Sequence, residues 1–557
     1  MLTPNLSDLN SKFVIKKNSF HKYIYYFKLF KNIKFIIKKM NIENNEVDIS
    51  KLENIKKINN KNIKNNEKVE IDIGINIEIK ENKSYIIDNT DNRNNKENKE
   101  NKENKEKKEK SITQQLIFLA IPSILEQILN TLLQYVDTAM VGHLGEEATA
   151  AVSTTTTIGW LIGSFLQSIG IALLAMMSKS VGEKNDVKLK KLAGQAILLV
   201  IACGLLVGGL ALSFSKFIPI WMGTEENVRP NASKYFFIIS IPMIFRSSTV
   251  ILGSCIRATL DTKSPMIVNF IANILNGILD YVLIYGFNLG VMGAAYATAI
   301  SYTVSGTLMF LVFKHKKQFD LRLDSLKKDN TLLKEIAKIA LPAAGTHATT
   351  CFGYIVFSGL VSSMGTSIFA AHAIAINAEM IFFIPGYGLS SATSAMIGVA
   401  FGEKNLLKQK KIMKLSTFFA IGIMIISGTV LYLSAYPLMK LFTSSIHVTE
   451  LGARMLKIVA LTEPFFGLMI AMQGIFYGLG KTASVFVIES FGMWGIRILF
   501  SILCVKVWHT GLTEVWYCMI SDNISKAILL SLTTLFFVKR KLPKLIEKKE
   551  SEESNEQ

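Results

Sequence analysis

The stretch AIPSILEQILNTLLQYVDTAMVGHLG, residues 120–145, decides the fold. It is apolar for long enough to cross a bilayer, which takes about 20 residues of helix. Yet it carries Glu126, Asn130, Gln134 and Asp137. At about 100° per residue these four fall within an arc of about 80°, so one face is polar along its length. A charged side chain at membrane depth costs about 2.5–3.5 kcal/mol on insertion scales, so it faces a bundle interior or a water-filled cavity. A helix of this kind needs others around it.

Eleven further segments qualify. The twelve lie near 113–142, 150–180, 192–214, 233–258, 264–286, 291–313, 334–361, 368–400, 412–435, 451–478, 484–507 and 512–537. The connections check the count, because Lys and Arg gather on the cytoplasmic side. The even-numbered connections carry GEKNDVKLKK, RATLDTK, KHKKQFDLRLDSLKK, GEKNLLKQKK and GLGKT, and the tail carries KRKLPKLIEKK. The odd-numbered ones, among them GHLGEEAT, MGTEENVRPN, GFNLGVMG and SSMGTSIF, are poor in both. The alternation predicts a multi-pass membrane protein with both termini in the cytoplasm.

The second half echoes the first at an offset of 220 residues. Ala120 and Pro122 match Ala340 and Pro342, Gly145 matches Gly365, and Gly182-Glu183-Lys184-Asn185 matches Gly402-Glu403-Lys404-Asn405. Each half holds six spans, an even number, so both start on the same side. The expected fold is an all-α membrane protein of two parallel six-helix repeats around a central cavity, with alternating access by rocking of one half against the other. The parts are an N-lobe at 111–313, a cytoplasmic linker at 314–333, a C-lobe at 334–537 and a charged tail at 538–557.

Residues 1–110 are a charged, Asn/Lys-rich extension. Four Asn-Lys-Glu triplets run from Asn95 to Glu106. Such a segment buries too little apolar surface to offset its ordering entropy, and it is expected to be largely disordered. The interrupted apolar stretch 23–37 suits an amphipathic surface helix rather than a span. The extension raises the formal net charge to +19, but no nucleic-acid motif accompanies the charge. The five cysteines are scattered in apolar segments and read as packing residues. No Ser/His dyad, HExxH motif or zinc cluster suggests an enzyme, and no cofactor is expected.

The fifth span repeats the polar stripe. Asn269, Asn273, Asn276 and Asp280 share an arc of about 60°. Two carboxylates on facing helices either share a proton, since like charges held close keep one protonated, or coordinate a small hard cation with amide and hydroxyl oxygens. Asp137 and Asp280 are thus the leading site pair. Glu126, Asn130, Gln134 and Asn273 are cavity candidates. Asp137 maps onto Phe357, so the acidic site is not duplicated. The C-lobe offers Glu379 with His372 seven residues before it, a Glu463-Pro464 kink, and Glu489 with Arg497. Pro122 is either a helix hinge or a first-turn proline.

These residues resemble the multidrug and toxic compound extrusion (MATE) family. The likeness covers residues 111 to 537, through AIPSILEQILNTLLQYVDTAMVGHLG, RATLDTKSP, NILNGILDYVLIYGFNLGVMGAAYAT, AAHAIAINAEMIFFIPGYGLSSATSAMIG and GLGKT. It implies efflux of organic cations and other amphipathic compounds in exchange for protons or sodium ions, by a monomer in the bilayer. It also implies a first-lobe cation site of Asp137, Asn276, Asp280, the Ala294 carbonyl and Thr298, with Pro122 as the first-helix proline. Other branches place a glutamate in the seventh helix. Thr350 falls there, so the sequence is closest to the DinF-like branches, whose coupling residues lie in the first lobe. The alternative is a lipid-linked saccharide flippase of the same superfamily. Such proteins carry a strongly cationic cavity, and intramembrane Arg and Lys are few here.

Overall fold

The computed structural model describes residues 85–321 and 323–541, and the membrane body lies in the compact unit Asn94–Gln557. The first span belongs to the helix Tyr85–Gly142, the second is Glu146–Gly182 and the third Asp186–Phe214. The fourth is a bent pair, Arg229–Ser240 and Met243–Ala258, and the fifth, Lys263–Asp280, continues through a π turn, Tyr281–Gly286. The sixth is Val291–His315, the seventh Asn330–Ser362, the eighth Thr366–Gly402 and the ninth Leu406–Phe442. The tenth is again a bent pair, Ile446–Ala460 and Glu463–Gly478. The eleventh starts at Thr482–Ser490 and runs to Val507 through two π segments, and the twelfth is Leu512–Phe536.

Among the described residues, eight helices are long and apolar enough to cross a membrane alone, and the two bent pairs raise this to ten. The seventh and twelfth are long but more polar, the seventh through His347 and its threonines, the twelfth through Asp522, Asn523 and Lys526. With these two, the described residues form twelve helical spans in two repeats of six, joined by shorter elements such as the helix Ile218–Trp221.

The first helix extends back into the charged segment. Residues 85–110 are helical where the sequence predicts disorder. Lys and Glu are good helix formers, pairs such as Glu103 and Lys107 sit four apart, and no Gly or Pro interrupts the run before Pro122. The rest of the segment, the stretch 23–37 and the end of the tail lie outside the described residues. Pro122 lies inside this helix, well beyond its first turn.

The repeat is as regular in space as in sequence. The second and eighth spans are each 37 residues long, and each follows a glycine at positive φ, Gly145 at 110° and Gly365 at 125°. Both end in the same turn. There Lys184 and Lys404 take φ of 54° and 55°. Asn185 and Asn405 cap the next helix, accepting from the backbone N–H of Lys188 and Lys408 at 2.9 Å. The bent pairs also match, at 54° and 55°. In the tenth span the bend falls at Thr462-Glu463-Pro464, where Pro464 starts the second helix.

Helices in lipid gain little from burying apolar surface against each other, so close packing of small residues holds them together. The lobes meet along the second and eighth spans. At their Lys-rich ends, a Cβ on Gly182 would collide with the backbone of Val399 and Glu403. A Cβ on Gly402 would collide with the backbone of Lys179 and Glu183. The linker packs on the first lobe. Lys316 pairs with Asp261 at 2.7 Å and Lys190 with Asp320 at 2.9 Å. Phe313 stacks on Phe319, and Gln195 bonds both the Lys327 carbonyl and the Asp329 N–H. The five cysteines are free, with Cys504 and Cys518 buried side by side.

Adding one methyl at the seam is therefore expected to cost stability. Gly402→Ala should destabilise the purified protein by about 1–3 kcal/mol, read as a lower melting temperature. Gly422→Ala, whose Cβ would meet open space, should leave the melting temperature unchanged or raised.

Candidate functional site

The polar stripes of the first and fifth spans face each other in register. Asn269 Nδ2 donates to Glu126 Oε1 at 2.6 Å, and Asn273 Nδ2 donates to Asn130 Oδ1 at 2.6 Å. Both pairs are 143 residues apart, and so are Asp137 and Asp280, whose carboxyl groups come within hydrogen-bonding range of each other. The two helices thus run parallel and touch at three levels through their polar faces. Gln134 has no such partner, because Gly277 stands opposite, and its side chain is exposed.

The outermost level is chemically incomplete. Asp280 is fully buried. Both its carboxyl oxygens, together with Oδ1 of Asp137, are reached by no protein donor. The Nδ2 of Asn276, one turn before Asp280, is also buried without an acceptor. Two carboxyl groups in contact need a proton or a cation between them. Beside them stands Tyr235, buried and hydrogen-bonded to the Thr298 side chain of the sixth span; Ala294 is buried one turn before Thr298. Asp280 is the last α-helical residue before the π turn. Such widened turns re-aim side chains and recur at functional sites. Carboxylate, amide, hydroxyl and carbonyl oxygens are the donors that a small hard cation takes. The first, fourth, fifth and sixth spans all contribute. Tyr235 escapes a reading of single-helix periodicity, because it comes from a different helix with no polar stripe of its own.

The innermost level is an ion pair. Arg257 Nη2 reaches Glu126 Oε1 at 2.6 Å, and the Glu126 side chain is 2% exposed. Above it Ser305 links Thr249 to Asn269. Farther out, Tyr135 of the first span donates to the Asn377 carbonyl of the eighth span at 2.8 Å, joining the lobes.

The second lobe holds charge of another kind. Arg497 Nε lies 2.9 Å from Asp522 Oδ2, and Lys526 Nζ lies 3.0 Å from the same oxygen and 2.9 Å from Glu489 Oε2. Gln473 donates to Glu489, and Arg497 also bonds Asn523 and lies over the Tyr354 and Phe357 rings. Glu489 and Arg497 are visible in the sequence as lone charges in the eleventh span. Their partners Asp522 and Lys526, four apart in the twelfth, are missed. His372 is buried against Phe357 and takes the Trp516 N–H on Nδ1 at 3.2 Å. Glu379 is buried near Arg497 and Glu463, with no direct bond to either.

Comparison with known proteins gives one consistent result. The MatE family model matches residues 122–282 and 342–503, once in each lobe. The probable multidrug resistance protein NorM of Thermotoga maritima is 28% identical over 438 residues, covering 78% of this chain and 94% of that protein. YoeA of Bacillus subtilis, likewise described as a probable multidrug resistance protein, is 25% identical over 401 residues, 70% of this chain and 86% of that protein. Among solved structures, a variant of the Vibrio cholerae MATE transporter VcmN superposes with a TM-score of 0.73 at 22% identity, covering 78% of this chain and 99% of the other. A MOP superfamily transporter from Pyrococcus furiosus, described as having a binding pocket of reverse polarity, superposes with a TM-score of 0.74 at 20% identity, covering 77% of this chain and 97% of the other.

Removing Arg257 should strand a buried carboxylate. Arg257→Met is expected to destabilise the protein by about 3–5 kcal/mol. Adding Glu126→Gln should recover more than half of that loss, measured by melting of both variants beside the unmodified protein.

Proposed function

The chain belongs to the MatE family, and from that premise we propose that it is a secondary active efflux transporter exchanging amphipathic or cationic compounds for protons or sodium ions. The family is one of multidrug efflux transporters. The observation that carries the finer reading is the contact between Asp137 and Asp280 with no protein donor on three of their four oxygens. A proton or a sodium ion satisfies that arrangement, with Asn276, Tyr235, Thr298 and Ala294 around it. Occupancy ties the first span to the fifth, and loss of the ion leaves two negative charges in contact. Coupling follows from that difference, because a ligand shifts an equilibrium only by its differential affinity for the two states.

Substrate would occupy the cavity between the lobes, with Asn130, Gln134 and Asn273 on one side and His372 and Glu379 on the other, while Glu126, buried against Arg257, would hold the first lobe together beneath it. The lobes would alternate access as a monomer in the cell's inner membrane, with the Lys-rich loops and both termini in the cytoplasm. Exchange of one monovalent cation for another moves no net charge. The membrane potential, worth about 2.3 kcal/mol per charge per 100 mV, would then not drive it, and the ion gradient would.

The test is efflux of a fluorescent organic cation from proteoliposomes under an imposed proton gradient and, separately, a sodium gradient. Coupled transport is expected under one of the two, with Asp137→Asn and Asp280→Asn both falling to the level of protein-free vesicles. Undiminished transport in both variants would overturn the site. Tyr235→Phe removes one hydrogen bond beside it. It should weaken ion dependence by about fivefold, the equivalent of about 1 kcal/mol, while the maximal rate changes less.

A further inference from the structure

A groove of about 530 Å³ opens on the outer surface of the second lobe, lined by Tyr432, Tyr436, Glu450, Arg454, Lys457 and Tyr517. Glu450, Arg454, Lys457 and Leu461 follow one another down one face of the tenth span, within an arc of about 60°. Lys457 lies over the Tyr432 ring at 5.8 Å. Neither it nor Arg454 takes part in any of the ion pairs among the described residues. Leu461 is 70% exposed at the floor of the stripe.

The depth of each group follows from the helix. The tenth span begins at Ile446, on the side away from the Lys-rich loops. At 1.5 Å per residue, Glu450 lies about 6 Å along it, Arg454 about 12 Å and Lys457 about 16 Å. The neighbouring ninth span has 37 residues and is about 55 Å long, against a hydrocarbon core of about 30 Å, so each end projects by about 12 Å. Arg454 therefore sits at the boundary between headgroups and hydrocarbon, Glu450 above it, and Lys457 and Leu461 below it. Tyrosines at this level are typical of the interface.

We propose that this groove binds an amine-bearing zwitterionic phospholipid, its ammonium on Glu450, its phosphodiester between Arg454 and Lys457, and an acyl chain over Ile458 and Leu461. The order of charge down the helix, negative then twice positive then apolar, matches the order of groups down such a lipid. Cations that merely snorkel to the interface need no carboxylate above them and no cavity beside them. A purely anionic lipid would set its headgroup against Glu450. The site is independent of the ion-coupling reading.

The test uses the delipidated full chain in detergent, titrated with phosphatidylethanolamine, phosphatidylcholine or phosphatidylglycerol, with bound lipid counted by native mass spectrometry. Phosphatidylethanolamine should be retained about tenfold better than the other two. Arg454→Gln with Lys457→Gln should lose that retention. Glu450→Gln should abolish the preference for phosphatidylethanolamine over phosphatidylglycerol. Variants with unmodified melting temperatures establish that the fold is intact. Equal retention of all three lipids, or retention unchanged in the Arg454/Lys457 variant, overturns the proposal. So does displacement of the lipid by soluble phosphoethanolamine at equal concentration, since the groove would then be a phosphate site rather than a lipid site.

Discussion

Hydrocarbon offers no hydrogen bonds, and every polar group that enters it must find its partner inside the protein. The first lobe obeys this constraint through two stripes that share a spacing. Glu126 and Asn269, Asn130 and Asn273, and Asp137 and Asp280 meet because each helix repeats its polar residues on a single face. Parallel neighbours of equal pitch then bring all three pairs together at once. The constraint also marks out the site. Where the pairing is between amides, or between amide and carboxylate, a donor within the chain meets the acceptor. Where it is between two carboxyl groups, something from outside the chain must complete it.

The two lobes share a scaffold but not a chemistry. Glycine turns, asparagine caps and bent fourth and tenth spans recur almost degree for degree. The charges do not. Phe357 stands where Asp137 stands in the first lobe, and the second lobe instead gathers Glu489, Arg497, Asp522 and Lys526 between its last two spans. Breaking one such buried pair leaves an uncompensated charge, which costs far more than an intact pair contributes. Their arrangement neutralises this cluster from within the second lobe, where the carboxylate pair of the first is left open.

Much of this was legible beforehand, for physical reasons. Twelve spans, two repeats and the stripes of the first and fifth helices follow from periodicity, which is local. The kink at Glu463-Pro464 follows from proline geometry. What depends on contacts between distant helices was not legible. Tyr235 reaches the carboxylate pair from the fourth span. Asp522 and Lys526 find partners in the eleventh. Glu126 reads as a cavity residue until Arg257 is folded against it. The helical end of the charged extension is a different failure. Composition argued against order there, while the spacing of Lys and Glu and the lack of breakers favoured helix.

The glycine seam between the second and eighth spans has a kinetic side. Gly182 and Gly402 bring backbone against backbone, and under the alternating access proposed above they would have no side chain of their own to lock when the lobes meet and none to release when they part. A latch built from long side chains pays rotamer entropy at each closure and must reorder at each opening. A seam of bare backbone has neither burden. Where the two glycines meet, the strength of the contact is set by fit, with Lys179 over the Phe401 ring as its side-chain neighbour, so in the proposed cycle this contact would hold while shut and still open without a slow rearrangement of its own.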